Sequence, residues 1–232
     1  MIKLIVLSTL SLTDPIGDHP VDSLNPMKYV DTDIAVVKLS ADSSSLYFYV
    51  EINDSGDLNR LADTTLYSGS ASVSLFIDTD MDSSTGLTWG WWCLGYDVLL
   101  SVLHTTPIKD PWEIGDAFGF YRYDQSAYPV YKFELVDTSA LNVEHKQHRL
   151  EGSIPLKMLD LKSDSIAVLV IVQEQLDPWL GDYAPDEDSL GTSALIYDMD
   201  QVKDGIKIDG KFDDWKDVPE LRLVRVIPED ER

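Results

Sequence analysis

Apolar and polar residues alternate in this chain with a period of two, in short runs, over most of its length. A β-strand turns successive side chains to opposite faces, so this period predicts strands with one face in a core and one in water. Ile34–Leu39 and Leu46–Ile52 flank the Ser-rich turn Asp42–Ser45 and read as a hairpin. Further runs are Ser72–Asp78, Tyr96–Leu103, Ala117–Tyr123, Tyr128–Val136, Arg149–Ile154, Leu195–Tyr197 and Leu221–Ile227. Ser165–Gln173 is almost continuously apolar, the pattern of a central strand buried on both faces. Lys3–Leu12 reads as a first strand that faintly resembles a signal peptide without a cleavage site. Helix is confined to a turn or two at Pro155–Leu161, with Asp57–Leu66 a short helix or a loop. Many short strands between Gly, Pro, Asp and Ser turns predict an all-β, two-sheet antiparallel β-sandwich of jelly-roll or immunoglobulin-like type with few short helices.

Charge narrows the partners. The 232 residues hold 18 Lys+Arg against 41 Asp+Glu, a formal net charge of -23. Such a surface repels nucleic acid and anionic membranes and attracts divalent cations. No stretch has the length of a membrane span. The single cysteine, Cys93, rules out an intramolecular disulfide and sits in the apolar setting of an inert, buried thiol.

The carboxylates gather in three loops. The first holds Asp14 and Asp18 in Asp14-Pro15-Ile16-Gly17-Asp18, followed by Asp31-Thr32-Asp33. The second is Asp78-Thr79-Asp80-Met81-Asp82-Ser83-Ser84-Thr85-Gly86, and the third holds Asp182 and Asp186 in Asp182-Tyr183-Ala184-Pro185-Asp186-Glu187-Asp188. Calcium takes 6–8 oxygens at about 2.3–2.6 Å, which alternating carboxylates and intervening carbonyls supply. The second loop lacks the EF-hand spacing, because its glycine falls late and no closing glutamate fits. The same loops also suit plain Asx-turns that cap strand ends.

In this order the loops resemble those of the family 9 carbohydrate-binding modules and of the related DOMON-like sandwich at the C-terminal end of glucodextranases and some pullulanases. The residues that carry the likeness begin with Asp14–Asp18, Asp33-Ile34 and Leu46-Tyr47-Phe48. They continue with Phe76-Ile77-Asp78-Thr79-Asp80, Thr85-Gly86, Leu94-Gly95-Tyr96-Asp97, Gly152–Leu156 and Asp182–Asp186. The ordered set spans residues 13–198 and is more specific than any one motif. The resemblance implies a calcium-stabilised sandwich, sugar as ligand and attachment to an extracellular glycoside hydrolase. Asp78, Asp80 and Asp82 are the cation-site positions it carries over. One feature is displaced: the Asp-Gly-x-x-Asp-Asp-Trp signature that often opens such modules stands near the end, as Asp209-Gly210-Lys211-Phe212-Asp213-Asp214-Trp215. Residues 1–200 are therefore expected to form the module. Residues 201–232 form a segment too short to fold alone, which packs on a sandwich as a permuted completion or a truncated next module, or docks on a neighbouring copy.

Sugars stack their C–H faces on aromatic rings, which makes loop tryptophans beside polar residues the candidate ligand contacts. Trp91 and Trp92 follow the acidic loop, and Trp112 and Trp179 each follow an Asp-Pro pair. Trp215 is expected to pack structurally. No nucleophile elbow and no phosphate-binding glycine loop occurs, and His145 and His148 at i, i+3 fall on opposite faces of a strand. The expectation is a non-catalytic, extracellular or cell-surface protein that binds poly- or oligosaccharide with structural calcium. The alternative is a surface filament or layer subunit that self-associates through its C-terminal strand. Haem held by Met81 or Met158 with His104 has no motif behind it.

Overall fold

The computed structural model describes residues 33–53, 58, 71–89, 92–104, 119–124, 133–174, 181–184, 193–199, 205–219 and 221–225. They form a two-sheet antiparallel β-sandwich. The smaller sheet contains β1 (Ile34–Ala41), β2 (Ser45–Ile52), β9 (Asn142–Lys146) and β10 (Arg149–Pro155), in the order β1-β2-β10-β9. The larger is built on β3 (Ala71–Asp78), β6 (Val98–His104), β7 (Gly119–Tyr123), β8 (Phe133–Asp137), β11 (Ser165–Glu174), β13 (Ser193–Asp198) and β14 (Arg222–Arg225), in the order β14-β13-β11-β3-β6-β7-β8. A short strand, β12 (Gly181–Ala184), pairs with β11 beside that path, and a separate ribbon pairs β4 (Leu87–Trp89) with β5 (Trp92–Tyr96).

Alternation builds the main core. Leu46, Phe48, Val50 and Ile52 of β2 meet Val73, Leu75 and Ile77 of β3 and Ile166, Val168, Val170 and Val172 of β11 in one buried cluster. The intervening residues of the large sheet are buried too. Phe76, Leu99, Tyr121, Leu169 and Ile171 form a second cluster with Leu87 and Tyr96 of the β4–β5 ribbon, which lies over the outer face. β11 is thus covered on both sides, as its unbroken apolar run requires.

The outer face of the small sheet is covered around Tyr49, while the outward residues of β9 are exposed. Tyr49 packs there with Ile206, Phe212, Trp215 and Val218, with Val36 and Tyr47 at the margin. The Trp215 ring stacks on Tyr49 at 5.5 Å between centroids and an interplanar angle of 28°. Phe212 meets Tyr49 edge-on at 6.0 Å. Beneath them lies Glu151 of β10, a fully buried carboxylate. It accepts hydrogen bonds from the backbone N–H groups of Asp209 (2.9 Å) and Gly210 (2.7 Å) and from Trp215 Nε1 (2.8 Å). Lys38 Nζ donates to the Trp215 carbonyl at 3.1 Å. The displaced signature therefore has a local logic: its turn presents two N–H groups and its tryptophan a third donor, all satisfied by one carboxylate.

Several elements differ from the sequence reading. The run Tyr96–Leu103 is broken at Asp97, which separates β5 from β6. β9 arises in the polar stretch around His145, and Asp182 lies in a strand, opposite Val172, rather than in a loop. Pro155 closes β10, and only Leu156–Met158 turns, as a 3-10 helix. The expected strand Lys3–Leu12 and the expected helix or loop Asp57–Leu66 lie outside the described residues, except for Leu58.

Candidate cation site at the end of the central strand

β3 is the middle strand of the large sheet and ends at Asp78, where the chain leaves the core. Asp78 is 0% exposed. Its Oδ1 accepts the backbone N–H groups of Asp80 (3.2 Å) and Met81 (2.7 Å). Its Oδ2 is buried with no hydrogen-bond partner. Burial pushes the Asp78 carboxyl up to about 7, with the Asp97 and Asp80 charges adding to the rise and the two N–H groups opposing it.

Two other carboxylates face the same point. One oxygen each from Asp78, Asp80 and Asp97 lie within 4.8 Å of one another. Two oxygens each about 2.4 Å from one ion stand at most about 4.8 Å apart, so the spacing of the three is compatible with their sharing a single ion. Asp97 comes from the break between β5 and β6. Its Oδ2 accepts the Thr79 N–H (3.1 Å) and hydroxyl (2.8 Å), and burial raises its carboxyl despite those bonds. Asp80 receives the Thr85 hydroxyl at 3.0 Å and stands 3.7 Å from Lys162 Nζ, a mostly exposed ammonium. Among the described residues, the set therefore consists of hard oxygen donors with one orphaned buried oxygen and one exposed counter-charge. That donor set fits a hard divalent cation.

Two glycines allow the loop to close. Gly86 adopts φ +67°, and a Cβ there would meet the Gly95 backbone at 2.6 Å. A Cβ on Gly95 would meet the Thr85 carbonyl oxygen at 1.8 Å. The two backbones cross in contact, which fixes the base of the β4–β5 ribbon directly over the Asp78–Thr85 loop.

Of the residues expected at a site, Asp78 and Asp80 come together. Asp82 stands outside the cluster: its exposed carboxylate accepts the Ser84 N–H (2.9 Å) and hydroxyl (2.7 Å), and these bonds lower it. Asp182 lies in β12. Trp92 lies in β5, opposite Trp89 of β4. Asp14, Asp18, Asp186, Trp91, Trp112 and Trp179 lie outside the described residues. Trp215 is buried against Tyr49, in the packing role expected of it. Sequence reasoning missed Asp97 as a ligand candidate, although Leu94–Asp97 carried part of the resemblance. Its signal was an aspartate interrupting an apolar run.

No family model and no curated sequence matches this chain. The solved structures similar to it include two of family 9 carbohydrate-binding modules from Caldicellulosiruptor kristjanssonii. One, in complex with cellotriose, is 17% identical with a TM-score of 0.30; the match covers 63% of this chain and 61% of that one. The other, in complex with glucose, is 16% identical with a TM-score of 0.34; it covers 85% of this chain and 97% of that one.

Proposed function

We propose that this protein is a non-catalytic carbohydrate-binding module of an extracellular glycan-active protein, with calcium as a structural cofactor at Asp78, Asp80 and Asp97. The observation that carries the reading is a convergence. The segments Phe76–Asp80, Thr85-Gly86 and Leu94–Asp97, which carry the sequence resemblance, meet in space around one orphaned carboxylate oxygen. Segments retained for solubility alone would have no reason to meet. Asp14, Asp18, Asp182 and Asp186 belong to the same proposal as donors to this or further cation sites, and Asp82, outside the cluster, as a donor to a further one. Sugar is assigned to the tryptophans Trp91, Trp92, Trp112 and Trp179, whose rings supply stacking surface. In this reading residues 1–200 are the module and 201–232 its docked C-terminal segment, with a glycoside hydrolase attached in the same protein.

The test is calorimetric titration of α- and β-glucans into the protein with calcium present. Saturable heat from one sugar class, lost in Trp179→Ala or Trp112→Ala, is the expected result. No heat from any glucan, in protein shown to be folded, overturns the sugar assignment and leaves the second reading, a cell-surface subunit that assembles through strands. One observation favours that second reading: among the described residues, the C-terminal strand β14 ends the large sheet at one edge and β8 ends it at the other.

A further inference from the structure

The two oxygens of each carboxylate in the cation cluster are in different circumstances. One oxygen of each is held by the protein's own donors. Asp78 Oδ1 accepts the Asp80 and Met81 N–H groups, and Asp97 Oδ2 accepts the N–H and hydroxyl of Thr79. Asp80 Oδ1 accepts the Asp82 N–H at 3.1 Å and the Thr85 hydroxyl at 3.0 Å. The other oxygens are less engaged. Asp78 Oδ2, on a residue that is 0% exposed, has no hydrogen-bond partner. Asp80 Oδ2 has a longer contact with the Thr85 hydroxyl, at 3.2 Å, and the ammonium of Lys162 at 3.7 Å.

The backbone holds Lys162 at this place. It lies in the connection between β10 and β11, and its N–H donates to the Thr79 carbonyl at 3.1 Å. Thr79 stands between Asp78 and Asp80, so this bond ties the lysine to the loop that carries two of the three carboxylates. The side chain is held far less. It is 61% exposed, and its ammonium is too distant from Asp80 for a hydrogen bond. Its flexible four-carbon stem can therefore swing into water. Among the described residues, it is the only cation paired with the cluster. Its charge also reaches Asp97: burial raises that carboxyl, and Lys162 is one of the influences that lower it.

An ammonium and a divalent cation exclude each other at such a place. Three carboxylates with oxygens within 4.8 Å of one another repel when no cation lies among them, and the ammonium relieves part of that repulsion. A metal at the same oxygens removes the need for the ammonium and repels it. We propose that Lys162 is a tethered counter-cation of the Asp78, Asp80 and Asp97 site, which steadies the cation-free loop and competes with the divalent cation for Asp80. The inference rests on the cation reading of this site. Its consequence is a lower affinity, so that the site fills only at a higher cation concentration. Exposed ion pairs are weak, and removing the charge should tighten binding about three- to five-fold.

The test is calorimetric titration of calcium alone into wild type, Lys162→Met and Lys162→Arg, with each protein also melted in chelator and in saturating calcium. Methionine keeps an apolar stem without the charge, arginine keeps the charge, and both keep the N–H bonded to Thr79. Asp78→Asn marks which heat belongs to this site. Lys162→Met is expected to bind calcium about three- to five-fold more tightly than wild type, to melt lower in chelator and to gain more from calcium. Lys162→Arg is expected to stay near wild type in all three. Wild-type or weaker affinity in Lys162→Met, or equal tightening in Lys162→Arg, overturns the inference and leaves the cation reading standing. If folded wild type and both lysine variants show no calcium heat that Asp78→Asn removes, the cation reading falls and the inference falls with it.

Discussion

Replacing Asp78 with asparagine should stabilise the cation-free protein at pH 8. Asparagine keeps the Oδ1 acceptor for the Asp80 and Met81 N–H groups and puts an N–H donor where Oδ2 now has no partner. The donor would point toward the Asp80 and Asp97 carboxylates, within 4.8 Å. What disappears is the cost of ionising a buried carboxyl, raised from 3.8 to about 7. At about 1.4 kcal/mol per pKa unit, this sets an upper bound of about 4 kcal/mol. The sign follows from linkage. Below the unfolded value both states of Asp78 bind a proton and it contributes no penalty. Between about pH 4 and 7 only the folded state holds the proton, so stability falls as pH rises, and above about 7 the full penalty stands. The assay is urea denaturation, followed by fluorescence, of wild type and Asp78→Asn at pH 4 and pH 8, in chelator and in millimolar calcium. In chelator the variant should match wild type at pH 4 and exceed it by up to about 4 kcal/mol at pH 8. Taking the difference cancels the opposite trend from Asp82, Asp137 and Asp213, whose hydrogen bonds and ion pairs lower them. Calcium should stabilise wild type and leave the variant unchanged. A variant less stable than wild type at pH 8 in chelator would refute the argument, because it would mean that the charge on Asp78 is already compensated without a cation.

Other outcomes follow from single contacts. Glu151→Ala removes the acceptor of three donors; water can reach the turn N–H groups but not Trp215 Nε1, so a loss of about 3 kcal/mol is expected, with hydrogen exchange opening at residues 206–218 before the core. Protection there equal to wild type would show that the ring packing of Tyr49, Phe212 and Trp215 suffices to hold the segment. Gly95→Ala drives a Cβ into the Thr85 carbonyl oxygen, a backbone atom with no flexible end to yield. A loss of about 3 kcal/mol is expected together with loss of any calcium-induced shift in melting temperature, and a retained shift would separate the glycine crossing from the cation site.

The fold was legible because the period of two is a direct record of a pleated backbone between two layers. β1, β2, β3 and β10 sit where the alternation places them, and β11 where its continuous apolar run does. β9 was not legible, since Asn142–Lys146 carries only Val143 toward the core and its register comes from β10, not from its own residues. Two of the three carboxylates in the cluster were legible for a similar reason: Asp78 and Asp80 lie two residues apart in sequence, and the pleat and turn that bring them together are local. Asp97 is seventeen residues beyond Asp80 and is brought in by the β3–β6 pairing, through its N–H to the Ile77 carbonyl at 3.0 Å. Asp82, though local, is lost to the cluster because a serine two residues on offers it an N–H and a hydroxyl at once. Local competition of this kind decides Asx-rich loops, and spacing alone does not reveal which aspartate will be captured.

The hidden faces carry the more general point. Alternation was read as one dry face and one wet face, but a wet face should be charged. The residues of β2 that turn away from the core are Ser45, Tyr47, Tyr49 and Glu51, two of the four aromatic. On β3 the outward positions include Phe76, whereas the unbroken apolar run of β11 had already marked both of its faces as covered. Aromatic and apolar side chains on the supposed wet face would expose large areas at about 25 cal/mol per Å², a cost that a folded chain removes by covering them. Tyr49 thus already implied a cover, and the displaced signature at 209–215, with its own turn and two aromatic residues, was one segment able to supply it. Glu151 could not be read in the same way. A carboxylate on an outward strand position is ordinary in sequence, and it becomes a buried, three-fold acceptor only once the segment that needs it has docked.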